Sequence, residues 1–300
     1  MTLQGTVAAR PTTEALQRAQ AGKSYWTRVR ERLLGDRITM AVTLLLACIV
    51  VMVLAAPLIA PYDPTAGSVL ARLKSPGWQG HWLGTDEVGR DLWSRILYGG
   101  RLSLLCGVAP VALALVVGGS LGLLAGYQGG IANSLIMRSM DVLYAFPSIL
   151  LAIAICGMLG AGLGNTILAL TITFIPPIVR ISETVTAQVR SSEFVEAARA
   201  SGAGSLSIIR FHILNNVLGP ILVYATSLIS ISIILAAGLS FLGLGVTPPN
   251  AEWGLMLNNL RQAIWVNPLV AALPGAMIFI TSMCFNLMSD GLRSAMDVRI

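Results

Sequence analysis

Few side chains in this sequence are suited to chemistry or recognition, and the most telling group stands in one interval. Ser192–Asn216, SEFVEAARASGAGSLSIIRFHILNN, is the longest polar-containing stretch in the second half of a largely apolar chain. Ser192 can cap a helix whose first turn carries Glu193 and Glu196, both favourable at the positive end of a helix dipole. Phe194, Ala197, Ala198 and Ser201 are expected to share one face, small except for a single aromatic. Gly202 and Gly204 end that helix, and Ser205 opens a second one. The chemistry offered is recognition: carboxylates that can pair with basic groups, and alanines that let another surface come close. The competing reading is a merely solvated loop.

Catalytic chemistry is not expected anywhere. Cys48, Cys106, Cys156 and Cys284 fall in four different apolar runs, without metal-type spacing, and read as small buried hydrophobes. His81 and His212 are far apart, so no zinc site is expected. No Ser/His/Asp or Cys/His grouping is present, and no G-x-x-x-x-G-K-[ST] stretch, so the chain does not bind ATP through a phosphate loop. The expectation is a non-enzyme with no catalytic residue, no metal and no cofactor of its own.

The elements that must position the interval are membrane spans. Hydrophobic residues make up 55% of the 300 and charged residues only 11%, against about 25% charged in a soluble domain. Mean hydropathy is +0.75. The expected fold class is an all-α membrane protein with six transmembrane helices. Ile38–Ile59 carries no charge over about 33 Å of helix, and APLIAPYDP stops it with Pro57, Pro61 and Pro64. Further spans are expected near Leu102–Ala125, Val142–Leu159, Thr166–Ile181, Val217–Leu242 and Leu269–Met288. The second holds GGSLG at 118–122, small residues that permit close packing. Pro147, Pro176 and Pro177 are expected to kink the third and fourth. The division is a tail over 1–37, a first transmembrane helix over 38–60, an extracytoplasmic loop over 61–100, a membrane core over 101–290 and a tail over 291–300. Within the first tail, Tyr25 and Trp26 followed by RVRERLLGDR suggest a short amphipathic helix on the membrane surface. No cleavable signal peptide is evident.

The net charge of +6 follows from topology rather than from nucleic acid, which is not expected as a partner. With the N-terminus inside, the inner segments hold fourteen Lys and Arg and the outer ones five, with Arg101 at a boundary. That asymmetry places both termini and Ser192–Asn216 in the cytoplasm. Apart from Arg180, one residue from the inner edge of the fourth span and counted with the inner segments, the spans carry no Asp, Glu, Lys or Arg, which argues against ion-coupled transport. If the protein pumps, the energy must come from another chain.

Glu196-Ala197-Ala198, three residues, then Gly202 resembles the EAA signature of membrane subunits of ATP-binding-cassette importers. Nine residues on, the family pattern I-x-L-P falls on His212-Ile213-Leu214-Asn215. Leu214 fits, while His212 and Asn215 depart from it, a departure that bears on the exit of the segment rather than on its docking. LGTDEVGRDLWSRILYGGRLSL (83–104), IMRSMDVLYAFPSILLAI (136–153), LSFLGLGVTPPNAEWGLML (239–257) and FNLMSDGLRSAMDVR (285–299) resemble the C-type permease of dipeptide, oligopeptide and nickel importers. The resemblance runs from about residue 38 to the end. It implies a type I importer transmembrane fold in a bacterial plasma membrane, the inner one in a Gram-negative cell. It also implies four kinds of partner: the lipid bilayer, a homologous second permease, two ATPase subunits and an extracytoplasmic solute-binding protein. Glu196, Ala197, Ala198, Gly202 and Leu214 take the positions that dock into the ATPase.

The resemblance implies small peptides as solutes, with nickel chelates, glutathione and opine-like compounds as alternatives through the same machinery. A stand-alone channel or a non-transporting scaffold are the readings from other classes. In the outer loop Asn250, Trp253 and Trp265 are candidates for contact with the binding protein or the solute. Ordinary anchoring of aromatics at the membrane surface is the competing reading for them.

Overall fold

A computed structural model describes residues 25–296. The expected tail over the first 24 residues and the tail charge Arg299 lie outside the described residues. Those described form helices and loops with no strand, only two isolated bridges in the loop before residue 92.

The chain enters through α1 (Tyr25–Gly35), where the sequence suggests a short amphipathic helix. Asp36 then caps α2 (Arg37–Leu54): its carboxylate accepts the Ile38 N–H at 3.1 Å and the Thr39 hydroxyl. A single turn, Ala56–Ile59, continues α2 before the prolines end it.

The long helices extend beyond the apolar runs. They are α3 (Leu92–Gln128), α6 (Leu163–Arg190), α8 (Ser205–Phe241) and α10 (Pro268–Met296). Short elements lie between them: α4 (Gly130–Tyr144), α5 (Ser148–Leu159), α7 (Glu193–Ala200) and α9 (Trp253–Asn259). Helices that satisfy their own backbone can cross a bilayer, whereas lipid-exposed loops cannot.

Five of these helices are long and apolar enough to cross a membrane, and a sixth crossing exists only if α4 and α5 count as one broken span. Those two meet at 83° across Ala145–Pro147. The expected third span over Val142–Leu159, kinked at Pro147, is thus a sharp break that takes in all of α4. Pro147 has no N–H to continue the ladder and disfavours helical geometry at Phe146. The α5 remnant, at 12 residues, is about 18 Å long, too short to cross alone.

The tightest packing is between α3 and α6, and glycine makes it possible. A Cβ at Gly122 would stand 2.5 Å from the Val179 carbonyl oxygen and from Ser182 Cβ. One at Gly126 would stand 2.7 Å from the Glu183 carbonyl oxygen and from Thr186 Cβ. Around this seam Val111, Ala114, Leu170, Phe174, Ile178 and Leu228 join α3, α6 and α8 in one buried cluster. A second cluster, with Ile49, Val53, Leu92, Trp253 and Val270, ties α2, α9 and α10 to the N-terminal end of α3.

Candidate functional site

At the opposite end of the bundle, Ser192–Asn216 is seated by three fully buried side chains, Val195, Ile208 and Ile213, which the sequence pattern does not single out. Val195 is fully buried on α7, in a cluster with Ile208, Ile213, Val217 and Ile221 of α8. Leu123 and Tyr127 of α3 and Val185 and Val189 of α6 pack against the same cluster. Burying a valine contributes about 1.5–3 kcal/mol. Arg199 adds a cation–π contact, its guanidinium 5.6 Å from the centre of the Tyr127 ring.

The opposite face of α7 is open. Glu193, Phe194, Glu196, Ala197 and Ser201 are exposed, and neither glutamate forms an ion pair among the described residues. Ala198 departs from expectation: it is half-buried and packs on the Val195 cluster, so it steadies the helix from below. Ser192 departs as well. Its carbonyl accepts the N–H groups of Val195 and Glu196 at 3.0 and 3.2 Å, but its side chain makes no capping bond.

Gly202 ends α7 by backbone geometry. Its φ is +82°, and nothing lies within 4 Å of where a Cβ would stand. Its N–H donates to the Arg199 carbonyl at 2.9 Å, and the Ala203 N–H to the Ala198 carbonyl at 3.1 Å. Those two bonds make a Schellman ending, completed by Ala198 and Ala203 on one buried cluster. The requirement for glycine is therefore conformational, since any other residue pays for the left-handed backbone.

The half of the signature that departs from the family pattern has its own geometry. Ile208–Ile213 winds as a π-turn inside α8, so the helix runs unbroken past His212 and Asn215. A π-turn shifts the backbone ladder by one residue. Side-chain amides take up two carbonyls there: Asn215 Nδ2 donates to Phe211 O at 3.2 Å and Asn216 Nδ2 to His212 O at 2.6 Å. Leu214 is half-buried, and its neighbour Ile213 is the inward-facing residue. Leu206 and Phe211, in the same segment, are 79% and 61% exposed. Sequence reasoning missed these two, although a Leu and a Phe beside a polar loop were visible.

The loops at the other end of the bundle, expected to be the outer ones, are built differently. Trp253 is 0% exposed, its Nε1 donates to Ile96 O at 3.0 Å, and its backbone N–H donates to Ser103 Oγ at 3.0 Å. It is a core residue of the cap, which overturns both readings of it as an outward contact or a surface anchor. The preceding Glu252, also buried, caps α9 by accepting the Gly254 and Leu255 N–H groups at 2.9 Å each and the Ser103 hydroxyl at 3.0 Å. Asn250 is exposed, donating to Thr247 O at 3.1 Å, on the rim of a cavity of about 310 Å³ shared with Tyr98 and Arg101. Trp265 is 90% exposed and remains free for contact. The three outer candidates are thus not one site.

A buried ionic knot also went unrecognised in the loop before α3. Asp86 Oδ2 lies 2.7 Å from Arg90 Nε and 3.2 Å from Arg95 Nε, the latter without hydrogen-bond alignment. Asp86 Oδ1 accepts the backbone N–H groups of Val88 and Arg90 at 3.0 and 2.8 Å. Arg95 Nη1 reaches Pro64 O at 2.9 Å. Beside them, burial pushes the Glu87 carboxyl above its ordinary range, with the Asp86 charge adding to the rise. Asp91 caps α3 through Ser94, at 2.8 Å to its N–H, and meets His81 Nδ1 at 2.8 Å.

Comparison with known proteins accords with this architecture. Residues 118–300 match the family of binding-protein-dependent transport system inner membrane components. Residues 24–76 match the N-terminal transmembrane domain of oligopeptide transport permease C. The glutathione transport system permease protein of Pectobacterium atrosepticum is 40% identical over 283 residues, 94% of each chain. The di/tripeptide transport system permease protein of Pseudomonas aeruginosa is 44% identical over 262 residues, 86% of each chain. Among solved structures, an inward-facing MetNI methionine ABC transporter superposes with a TM-score of 0.56 at 20% identity, covering 67% of this chain and 96% of that one. That likeness carries the fold.

Proposed function

The chain belongs to the family of binding-protein-dependent transport system inner membrane components, and on that premise we propose that it is one of two permeases in an ATP-driven importer of small peptides. Its family is one of transport permeases, and its share of the work is mechanical. The ATP chemistry sits on two separate ATPase subunits, and a solute-binding protein delivers the solute from outside. The chain crosses a bacterial plasma membrane six times, with α4 and α5 as one broken crossing and both termini in the cytoplasm. The excess of Lys and Arg on that side supports this orientation.

The observation that carries the proposal is the form of α7. It stands on a single buried valine, shows Glu193, Phe194, Glu196 and Ala197 outward, and turns back at a left-handed glycine. A short helix so presented suits a groove on another protein, and the buried side of the same helix rests on α3, α6 and α8. Movement of the groove would therefore reach three spans at once. Glu196 is placed to pair with a basic residue there, Ala197 to admit close approach, and Ala198 and Gly202 to hold the helix in position.

Replacing Gly202 with valine tests the coupling role. Uptake is expected to fall to background in proteoliposomes holding the whole importer, while the amount of the chain in the membrane is unchanged. Unaltered uptake would remove the coupling role. Peptides are favoured as solutes by the di/tripeptide relative and glutathione, itself a peptide, by the other. Nickel chelates and opine-like solutes remain alternatives through the same machinery, and flux without ATPase partners would establish a stand-alone channel instead.

A further inference from the structure

An ion pair stands half-open on the wall of the bundle, and the coupling segment has no use for it. Arg180 of α6 meets Asp141 of α4, Nη2 to Oδ1, at 2.5 Å, with side-chain exposures of 50% and 56%. The Arg180 guanidinium also lies 5.3 Å from the centre of the Tyr144 ring. Residues 144–150, across the α4–α5 break, are all exposed beside it, including Tyr144 and Phe146.

Depth decides what this surface faces. The uncharged part of α6, Leu163–Val179, is 17 residues by its numbering, or about 26 Å against about 30 Å of hydrocarbon. Arg180 is thus the first charge on α6, at or just inside the inner boundary of the apolar layer. An arginine alone can reach out to the headgroups. Here its guanidinium is held on a carboxylate that has no such reach. A charged pair half-open to acyl chains is costly, and intramembrane charges face a water-filled cavity or another protein. The α4–α6 face is therefore a wet or partnered face, and the bend at Ala145–Pro147 opens it.

We propose that Asp141 and Arg180, with Tyr144, form a subsite on the inner part of the solute path that takes zwitterionic solutes. The proposal rests on the permease reading above. A solute with one charge would displace one partner and leave the other uncompensated, which is strongly unfavourable near hydrocarbon. A solute with an ammonium and a carboxylate replaces both: its carboxylate takes the guanidinium, its ammonium takes Asp141, and the Tyr144 ring offers an apolar bed. Because each ion keeps a partner throughout, passage leaves no charge bare. A peptide with free termini has this chemistry.

The test uses the whole importer in proteoliposomes with dialanine and glutathione as probes. Asp141→Asn, Arg180→Gln and the double variant are each expected to lower maximal uptake at least tenfold. The concentration for half-maximal uptake should not move, since the binding protein sets it. Arg180→Lys, which keeps the charge, should retain more uptake than Arg180→Gln. Near-normal uptake by the double variant would overturn the proposal, because a half-exposed structural pair is dispensable once both charges are gone. Failure of the double variant to assemble with the second permease would also overturn it and make the pair an interface contact. So would ATP hydrolysis that no longer needs the binding protein, the mark of a latch. If the wild-type importer takes up neither probe, the permease reading for peptides fails first, and the subsite fails with it.

Discussion

The α7 segment and the cap at the opposite end of the bundle are both polar interruptions in an apolar chain, and they use their charges in opposite ways. In the cap, Asp86, Arg95 and Glu252 are buried, each with named partners. In the α7 segment Glu193 and Glu196 are exposed, and α7 itself is held by one buried valine and a backbone turn. A buried charge with several partners fixes a loop in one geometry. An exposed charge on a lightly seated helix is available to another molecule. Polarity alone does not distinguish the two, but burial and partner count do.

This contrast breaks most readily at Asp86. Asp86→Ala leaves the buried Arg95 without its carboxylate and Arg90 with Glu87 alone, and loss of a buried partner costs about 3–5 kcal/mol. Thermal unfolding of the purified protein should shift down markedly, whereas Glu196→Ala on the α7 segment should leave it unchanged while lowering uptake. Equal thermal shifts for the two would erase the distinction.

Val195→Ala comes next. The deleted methyl groups should cost about 1–3 kcal/mol, expressed locally as faster hydrogen exchange over residues 193–203, with the cap unaffected. Uniform acceleration across the molecule would mean that α7 is part of one cooperative core.

Gly202→Val should cost about 1–2 kcal/mol through the left-handed backbone alone, since the site is sterically open. Gly202→Asn, which tolerates that conformation better, should retain measurably more uptake than valine. Equal loss in both would point to contact with the glycine face rather than to backbone shape.

The smallest effect separates two tryptophans. Trp253→Phe removes the bond to Ile96 O and should cost about 0.5–1.5 kcal/mol. Trp265→Ala should stay within about 0.5 kcal/mol, as exposed positions do. Thermal shifts in the reverse order would contradict their burial.

What the sequence alone revealed follows the same division. Apolar runs located the long helices because period and length are local properties. GGSLG at 118–122 announced close packing, and Gly118 and Gly122 do meet α6. The end of α7 at Gly202 was legible because a glycine after a helical run has few other uses. The break at Pro147 was legible as a kink, but its 83° was not, since the angle depends on what α4 and α5 pack against. Trp253 was misread because an aromatic in a polar loop looks interfacial until its long-range partners, Ile96 and Ser103, are known. The knot of Asp86 and Arg95 was lost for the same reason: Arg90 and Arg95 entered the topology count, where only their side of the membrane matters, and Asp86 entered none. Val195 went unnoticed because one valine among alanines shows no periodicity.

The claim that α7 is the point of contact with the ATPases has a direct test. Ala197→Cys, on the exposed face, and Trp265→Cys, on the outer loop, are each joined to neighbours by a short bifunctional thiol reagent in membranes holding the whole importer, against the unaltered chain as control. The account predicts that Ala197→Cys yields an adduct containing an ATPase subunit and that Trp265→Cys yields none. An ATPase adduct absent from Ala197→Cys, with the importer intact and active, would contradict it.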